Sequence, residues 1–218
     1  TPHNIIYSNR KSFGLEIDEW GKLTIRAPKR ATQKEIQQVV LEKQKWILTK
    51  QQSAQKKAPM SYNFDGSDKF YFLGKQYPII FDSSTKGISF DGEKFLINEK
   101  YIDRVQDIMT KWYKEKALKL ASFLTDKYTD KLGIKHRKVK ITSAKTRWGS
   151  CSSKKNININ WRLVLAPLHV LEYVVAHEVA HLKYMDHSDS FWKTVGQLQP
   201  SYKIYKKWLK DNHNLLSF

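Results

Sequence analysis

The sequence predicts an α+β fold, and three patterns in the chain indicate it. Short segments of alternating apolar and polar residues, separated by glycines, fill residues 1–100 and are typical of β-strands. From Ile102 to about Lys131, apolar residues recur at helical spacing, which predicts one long helix that ends at Gly133. A strand pattern at residues 156–161 then leads into a second helical segment. We therefore expect a β-rich N-terminal region with one helix, residues 1–100, followed by a C-terminal domain, residues 101–218.

The first residues predict a β-hairpin. Apolar and polar residues alternate in two segments, Ile5 to Ser8 and Phe13 to Ile17. Residues 19–22 have the composition of a turn, and the alternation resumes at Leu23 and Ile25. We expect the strands on either side of this turn to pair.

A helix, a linker and four short strands are predicted next. Thr32 stands at a candidate N-cap, and Glu35 occupies the position that completes a capping box. One apolar stripe continues from there through Ile47, which predicts a single amphipathic helix. The polar segment Lys50 to Pro59 is predicted to be a linker or loop. The four strands are expected at residues 69–73, 76–81, 87–90 and 94–97.

Residues 139–161 predict two strands separated by a tight turn at Thr146 to Cys151. In the second strand, residues 156–161, Ile157 and Ile159 alternate with asparagines, which predicts one buried and one polar face. An exposed strand edge can pair with an extended peptide through backbone hydrogen bonds. We expect this strand to align a substrate, and the alternative is that it has only a structural role.

The most informative motif in the chain is His177-Glu178-Val179-Ala180-His181. It lies in the segment Leu168 to Leu182, where apolar residues have helical spacing and Pro167 is well placed to open the helix. Residues four apart share a helix face, so both imidazoles can bind one metal ion, with Glu178 beside them. Zinc peptidases activate water with this pattern, and catalytic zinc keeps three protein ligands and a water. The alternative is a chance pair of histidines on a helix.

A third ligand must come from residues after the motif. The sequence contains no Glu after Glu178, which leaves five candidates: Asp186, His187, Asp189, Asp211 and His213. His187 has the spacing of the third histidine in metzincins, although Tyr184 stands where their motif has Gly and no Met-turn follows. We therefore favour His187, with His213 as the alternative, and expect the chain to turn within residues 183–186.

Composition limits the class of protein. The 218 residues are 40% hydrophobic and include seven Trp, as expected of a globular protein with a sizeable core. The sequence contains no apolar run of about 20 residues, the length needed to span a bilayer, and its N-terminal residues contain no apolar signal core. A single cysteine, Cys151, excludes an internal disulfide framework and fits a reducing compartment. We expect a cytoplasmic protein.

The net charge of +18 favours an acidic partner. The charge is uneven, with net +6 in residues 1–100 and net +12 in residues 101–218. Residues 131–155 contain nine basic side chains and no acidic one. This segment is a candidate nucleic-acid surface, and the alternative is a solvated basic face.

Four segments of the C-terminal domain together resemble the YgjP-like family of zinc metallopeptidases. They occur in one order and read T-R-W-G-S-C-S-S, I-N-I-N-W-R-L, P-L-H-V-L-E-Y-V-V-A-H-E-V-A-H-L and D-H-S-D-S-F-W. The resemblance extends more weakly to the N-terminal region, and by motif alone to WLM-type and Spartan-like peptidases. It implies a small zincin-like core in which His177, His181 and His187 bind one zinc ion and Glu178 is the general base. Asp186 departs from the pattern, which has Asn there.

The expected activity is hydrolysis of a peptide bond in a protein or peptide substrate. The oxyanion formed in such a reaction needs a donor besides zinc, and Arg147 is our first candidate, followed by Tyr184 and Tyr202. Alternatively, Arg147 forms a structural ion pair. We expect Cys151 to be an inert buried thiol rather than a ligand. Two other functions remain open: action on or docking to DNA-bound proteins, and metal-dependent hydrolysis of a non-peptide bond.

Overall fold

Ten short strands in three sheets and six α-helices account for most of the residues that the computed structural model describes, which are 3–18, 21–56, 62–144, 146–216 and 218. The predicted α+β fold class is therefore confirmed. The chain forms two units, residues 1–59 and residues 60–218. No helix among the described residues is both long and apolar enough to cross a bilayer.

The first unit contains a three-stranded sheet with the order β1-β3-β2, formed by His3–Ser8 (β1), Gly14–Ile17 (β2) and Leu23–Pro28 (β3). Strands β2 and β3 are antiparallel, as the predicted hairpin requires, and β1 adds to β3 in parallel. Of the predicted turn, Glu19 and Trp20 lie outside the described residues. Alternate residues of β3, namely Leu23, Ile25 and Ala27, are buried and form the core of this unit with Ile36 and Ile47.

Two helices follow where a single helix was expected. Helix α1, Gln33–Glu42, begins at Thr32 with the predicted capping box, and helix α2, Gln44–Lys56, begins after Lys43. The predicted linker is therefore helical as far as Lys56, and residues 57–59 lie outside the described residues. Its Gln, Lys and Ala residues are good helix formers, so a polar composition alone did not identify a loop.

The second unit begins with a four-stranded sheet of order β4-β5-β7-β6. Its strands are Lys69–Phe72 (β4), Lys75–Phe81 (β5), Ile88–Phe90 (β6) and Phe95–Ile97 (β7). All four occur close to the predicted positions. A short 3₁₀ helix, Glu99–Arg104, then leads into the long helix α3, Val105–Leu132, which ends at the left-handed residue Gly133 as predicted.

The division between the units differs from the predicted boundary after residue 100 because the β4–β7 sheet shares its core with the C-terminal elements. The rings of Phe72, Phe90 and Phe95 surround Trp112 of α3 at centroid distances of 4.9–6.0 Å. These contacts join residues distant in sequence, and they place strands β4–β7 in the second unit.

A three-stranded sheet and three helices complete the second unit. Strands β8 (Lys138–Thr142), β9 (Gly149–Cys151) and β10 (Asn156–Asn160) have the order β8-β10-β9. A 3₁₀ helix, Trp161–Leu165, precedes helix α4 (Leu168–Ala180), which is followed by α5 (Asp189–Leu198) and α6 (Tyr202–Asp211).

Candidate metal centre

Helix α4 brings His177 and Glu178 into the interior. It contacts α3, α5, α6, β9 and β10, and its side chains are buried on most sides. A helix with so little exposed surface must be apolar almost all round, which explains the run of Val, Leu and Ala in this segment. Glu178 is 5% exposed, and His177 is partly exposed. The ionisable residues of the motif are therefore held on a rigid, buried element.

The chain turns back directly after α4. His181 is the C-cap residue, and the amide of Tyr184 donates to the Ala180 carbonyl. The described residues with positive φ other than glycine are Phe64, Leu73 and Lys155, so this turn does not use the left-handed region. Tyr184 therefore fits without strain where the metzincin motif has Gly. The turn begins at His181, two residues before the predicted segment 183–186, continues through bends at Met185 and Asp186, and carries His187 back toward α4.

Three imidazoles converge as a result. One ring nitrogen from each of His177, His181 and His187 lies within 4.8 Å of the other two. The Nε2 atoms of His177 and His187 are 3.2 Å apart. Two nitrogens bound tetrahedrally to zinc at 2.0–2.1 Å are about 3.3 Å apart. The separation of this pair therefore fits two adjacent zinc ligands.

Hydrogen bonding fixes the orientation of one of these rings. Nδ1 of His181 lies 2.9 Å from the carbonyl oxygen of Tyr184, and a carbonyl only accepts, so Nδ1 carries the proton. Nε2 of His181 then keeps its lone pair free, as a metal ligand requires. His177 lacks such support, because its buried Nδ1 has no partner among the described residues.

Phe191 of α5 packs against all three imidazoles. Its ring centroid lies 4.9 Å from that of His177, 4.5 Å from that of His181 and 4.8 Å from that of His187. Phe191 is fully buried, so it excludes water from one side of the triad and restricts the rotation of the rings. Sequence analysis missed this role of Phe191, because nothing local in the sequence relates it to the triad.

Gly149 of β9 makes room for Glu178. A Cβ atom at Gly149 would lie 2.5 Å from Oε1 of Glu178 and 2.8 Å from its Cδ and Cγ atoms. Any other residue here would force the carboxylate to move. The predicted turn at residues 146–151 thus contains a strand whose glycine is a close packing partner of the candidate base.

Burial sets the protonation of these groups. It raises the pKa of Glu178 to about 8 in the absence of a cation. Burial, followed by the neighbouring His181, His187 and Lys206, lowers the pKa of His177 to about 3. Burial also lowers the pKa of His181. His177 and His181 are therefore neutral at pH 7, which is the form that binds a metal.

Arg147, the first candidate for stabilising the oxyanion, lies on an exposed loop before β9. Arg147 is exposed, and its side chain forms neither an ion pair nor a hydrogen bond with the described residues, so the alternative of a structural ion pair is not observed. Its carbonyl accepts from Nδ2 of Asn160 at 3.2 Å. Asn160 is buried and also donates to the carbonyl of Ala144, so it holds the loop that carries Arg147.

The two tyrosines that were the next candidates have other contacts. Tyr184 contributes its carbonyl to His181, and the ring of Tyr202 stacks on the rings of Tyr173 and Trp192.

Cys151 has the properties of an inert thiol. It is half-buried on β9, and burial together with the charge of Glu178 raises its pKa to about 11. The thiol is therefore protonated at neutral pH, and it is not part of the group of converging ligands.

The prediction that residues 156–161 form an exposed edge strand is wrong. Strand β10 pairs with β8 on one side and with β9 on the other, so its backbone hydrogen bonds are used within the sheet. The short strand β9 instead forms the edge of this sheet nearest Glu178. Strand pairing joins residues distant in sequence, and the alternation in residues 156–161 could not show which strand is central.

Comparison with known proteins places the chain in a family. No curated protein matches the sequence. Among solved structures, the chain is similar to the metallopeptidase zymogen abylysin of Pyrococcus abyssi, with 25% identity, a TM-score of 0.38, and coverage of 41% of this chain and 92% of that chain. The sequence also matches the family described as YgjP-like, metallopeptidase domain, over residues 11–212. Because this match covers most of both units, the chain belongs to the YgjP-like family of metallopeptidase domains.

Proposed function

We propose that this protein is a zinc-dependent peptidase in which His177, His181 and His187 hold one zinc ion and Glu178 is the general base. The observation that carries the proposal is the convergence of three imidazole nitrogens within 4.8 Å of one another, at the C-terminal end of the helix that carries a buried Glu178. Three nitrogen ligands with one open position are the donor set of catalytic zinc.

The chain's own residues account for proton transfer. A bound zinc ion would supply a Lewis acid that lowers the pKa of a water ligand to about 7. In this proposal, Glu178 accepts the proton of the attacking water and returns it to the leaving amine. Its burial makes the carboxylate a stronger base than it is in water, and a neighbouring cation favours its charged form. Arg147, on the loop before β9, remains our candidate for stabilising the oxyanion.

Strand β9 offers a means of aligning the substrate. In the described part of the chain it pairs only with β10, which leaves its other edge open to an extended peptide. Because Gly149 lies against Glu178, a peptide paired with this edge would pass close to the base. This arrangement replaces the alignment expected from residues 156–161 and favours a peptide over a compact small molecule as substrate.

The experiment is a digest of an unfolded protein by zinc-loaded enzyme, with products identified by mass spectrometry. Glu178→Gln is nearly isosteric but cannot accept a proton, so we expect it to retain zinc and to lose about 10²- to 10⁴-fold in rate. Glu172→Gln, the same change on the same helix, is the control and should keep its activity. Near-wild-type cleavage by Glu178→Gln would exclude the general-base role. No cleavage by the zinc-loaded wild type would favour hydrolysis of a non-peptide bond.

A second candidate function is docking to nucleic acid, and one face of the β8–β10 sheet favours it. Across the three strands, exposed Lys140 of β8 lies beside Asn158 of β10, which lies beside Ser150 of β9. Nδ2 of Asn158 donates to Oγ of Ser150 at 3.1 Å. Lys138 is aligned with Asn156 in the same way. These lysines form no ion pair with the described residues, and a row of Lys, Asn and Ser donors suits phosphate oxygens. Lys145, in the same basic segment, lies outside the described residues.

A further inference from the structure

A single indole connects the candidate ligands to a cation. The ring of Trp192 lies 5.8 Å from that of His187, nearly parallel to it, and 5.7 Å from that of His177. Nζ of Lys206 lies 4.2 Å from the centroid of the Trp192 ring. An ammonium group is attracted to the negative face of an indole, so Trp192 holds this charge in place beside the triad.

Helix α6 is arranged to present this charge. Tyr202 and Lys206 are four residues apart and therefore share one face of the helix. The Tyr202 ring stacks on Trp192 at 5.4 Å with an interplanar angle of 16°, so both side chains contact the same indole. Lys203, Lys207 and Lys210 belong to the same helix but lie over no aromatic ring among the described residues. Lys206 thus differs from the other lysines of α6 by its contact with an aromatic ring.

The charge of Lys206 is not neutralised within the described part of the chain. The ion pairs observed there involve Arg26, Arg104, His136 and His169, and none includes Lys206. It nevertheless lies beside the triad, since the Trp192 ring that it contacts also neighbours the rings of His177 and His187. An unpaired cation held beside a metal centre is available to an anionic group of a ligand.

The geometry points to Lys206 as the residue that binds a carboxylate of the peptide substrate next to the cleaved bond. The inference rests on the proposed peptidase function and adds a substrate class, namely peptides with an acidic side chain or a free C-terminus close to that bond. Lys206 is exposed and contacts Trp192 rather than a triad nitrogen, so it determines specificity and takes no part in proton transfer. Trp192 is the positioning residue that holds it.

Binding of labelled peptides tests the inference without relying on catalysis. The probes are four fluorescein-labelled decapeptides that differ only in Glu or Gln at one central position and in a free or amidated C-terminus. With the zinc-loaded Glu178→Gln protein, we expect at least one carboxylate peptide to bind about fivefold more tightly than the neutral peptide, a preference that weakens with salt. The peptide that binds more tightly shows whether the carboxylate is that of the side chain or of the terminus.

Variants on one helix provide the controls. Added to the Glu178→Gln protein, Lys206→Gln should abolish the preference for carboxylate peptides, whereas Lys206→Arg should keep it. Lys207→Gln removes a positive charge one residue away and should also keep the preference. Equal binding of all four peptides, no measurable binding of the carboxylate peptides, or a preference that survives Lys206→Gln would overturn the inference. If the preference depends on Lys206 but the zinc-loaded wild type cleaves none of the peptides, the carboxylate site stands and the peptidase proposal falls. If the wild type cleaves all four peptides at equal rates and no binding preference is measured, the peptidase proposal stands and the carboxylate site falls.

Discussion

At the residue scale, the position of the Glu178 carboxylate depends on the absence of a side chain at Gly149. The two residues are 29 positions apart in sequence and meet because β9 packs against α4. A buried carboxylate with a raised pKa is an effective base only if it also faces the reacting water. The close contact with Gly149 restricts where it can point.

We therefore expect Gly149→Ala to lower the rate of peptide hydrolysis by about a hundredfold, because a displacement of about 1 Å at a catalytic group can cost that much. Zinc content should be unchanged, since the three atoms nearest to the new methyl group all belong to Glu178 and none to a histidine. Gly196→Ala is the matched control, because a Cβ there meets only Tyr202 at an ordinary 3.7 Å. Full activity in a zinc-loaded Gly149→Ala protein would show that the packing of Glu178 on β9 does not matter for catalysis.

At the element scale, the turn between β4 and β5 supports the start of helix α4. The amide of Leu73 donates to the Val164 carbonyl at 2.7 Å, and the amide of Gly74 donates to that of Leu165 at 3.2 Å. Gly74 has a φ of +84°, and a Cβ there would lie 2.8–2.9 Å from the ring and Cα of Pro167, the residue that precedes α4.

Replacing Gly74 by Ala should lower the free energy of unfolding by about 3 kcal/mol, because it combines an unfavourable φ with a collision against backbone atoms. Gly133→Ala separates the two effects, since Gly133 also has a positive φ, of +63°, but open space around it. That variant should lose only about 1 kcal/mol. Equal losses in urea denaturation of the two variants would show that the contact with Pro167 contributes nothing.

Local signals predicted the elements better than their arrangement. Alternation, helical spacing and the Thr32 capping box identified most strands and helices, and the spacing of His177, His181 and His187 identified the group of histidines that converges. The central position of β10, the inclusion of β4–β7 in the second unit and the packing of Phe191 depend on contacts between distant residues. Those contacts are set by tertiary packing, which a local pattern does not contain.

At the scale of the whole molecule, the net charge of +18 is concentrated in the C-terminal half. The side chains of Lys138 and Lys140 point to the exposed face of the β8–β10 sheet, opposite the buried Val139, Ile157 and Ile159. The charge and the hydrophobic core therefore lie on opposite sides of one small sheet.

If this face contacts phosphates, DNA affinity should fall steeply with salt, because each neutralised phosphate releases counterions. Lys138→Glu with Lys140→Glu should weaken binding for all sequences and make the slope of log affinity against log salt shallower by about 2. Lys69→Glu with Lys75→Glu changes the net charge equally at exposed residues of another sheet and should leave the slope nearly unchanged. An anisotropy titration that detects no DNA binding at low salt would remove the nucleic-acid function.

The zinc content of His187→Ala tests the central claim most directly. Purified wild-type protein should contain one zinc ion per chain, and elemental analysis of His187→Ala should show most of it lost, because only the two ligands at the end of α4, His177 and His181, remain. His213→Ala changes an exposed histidine outside the converging group and should retain the full zinc content. Stoichiometric zinc in His187→Ala together with loss of zinc in His213→Ala would contradict the proposed metal centre.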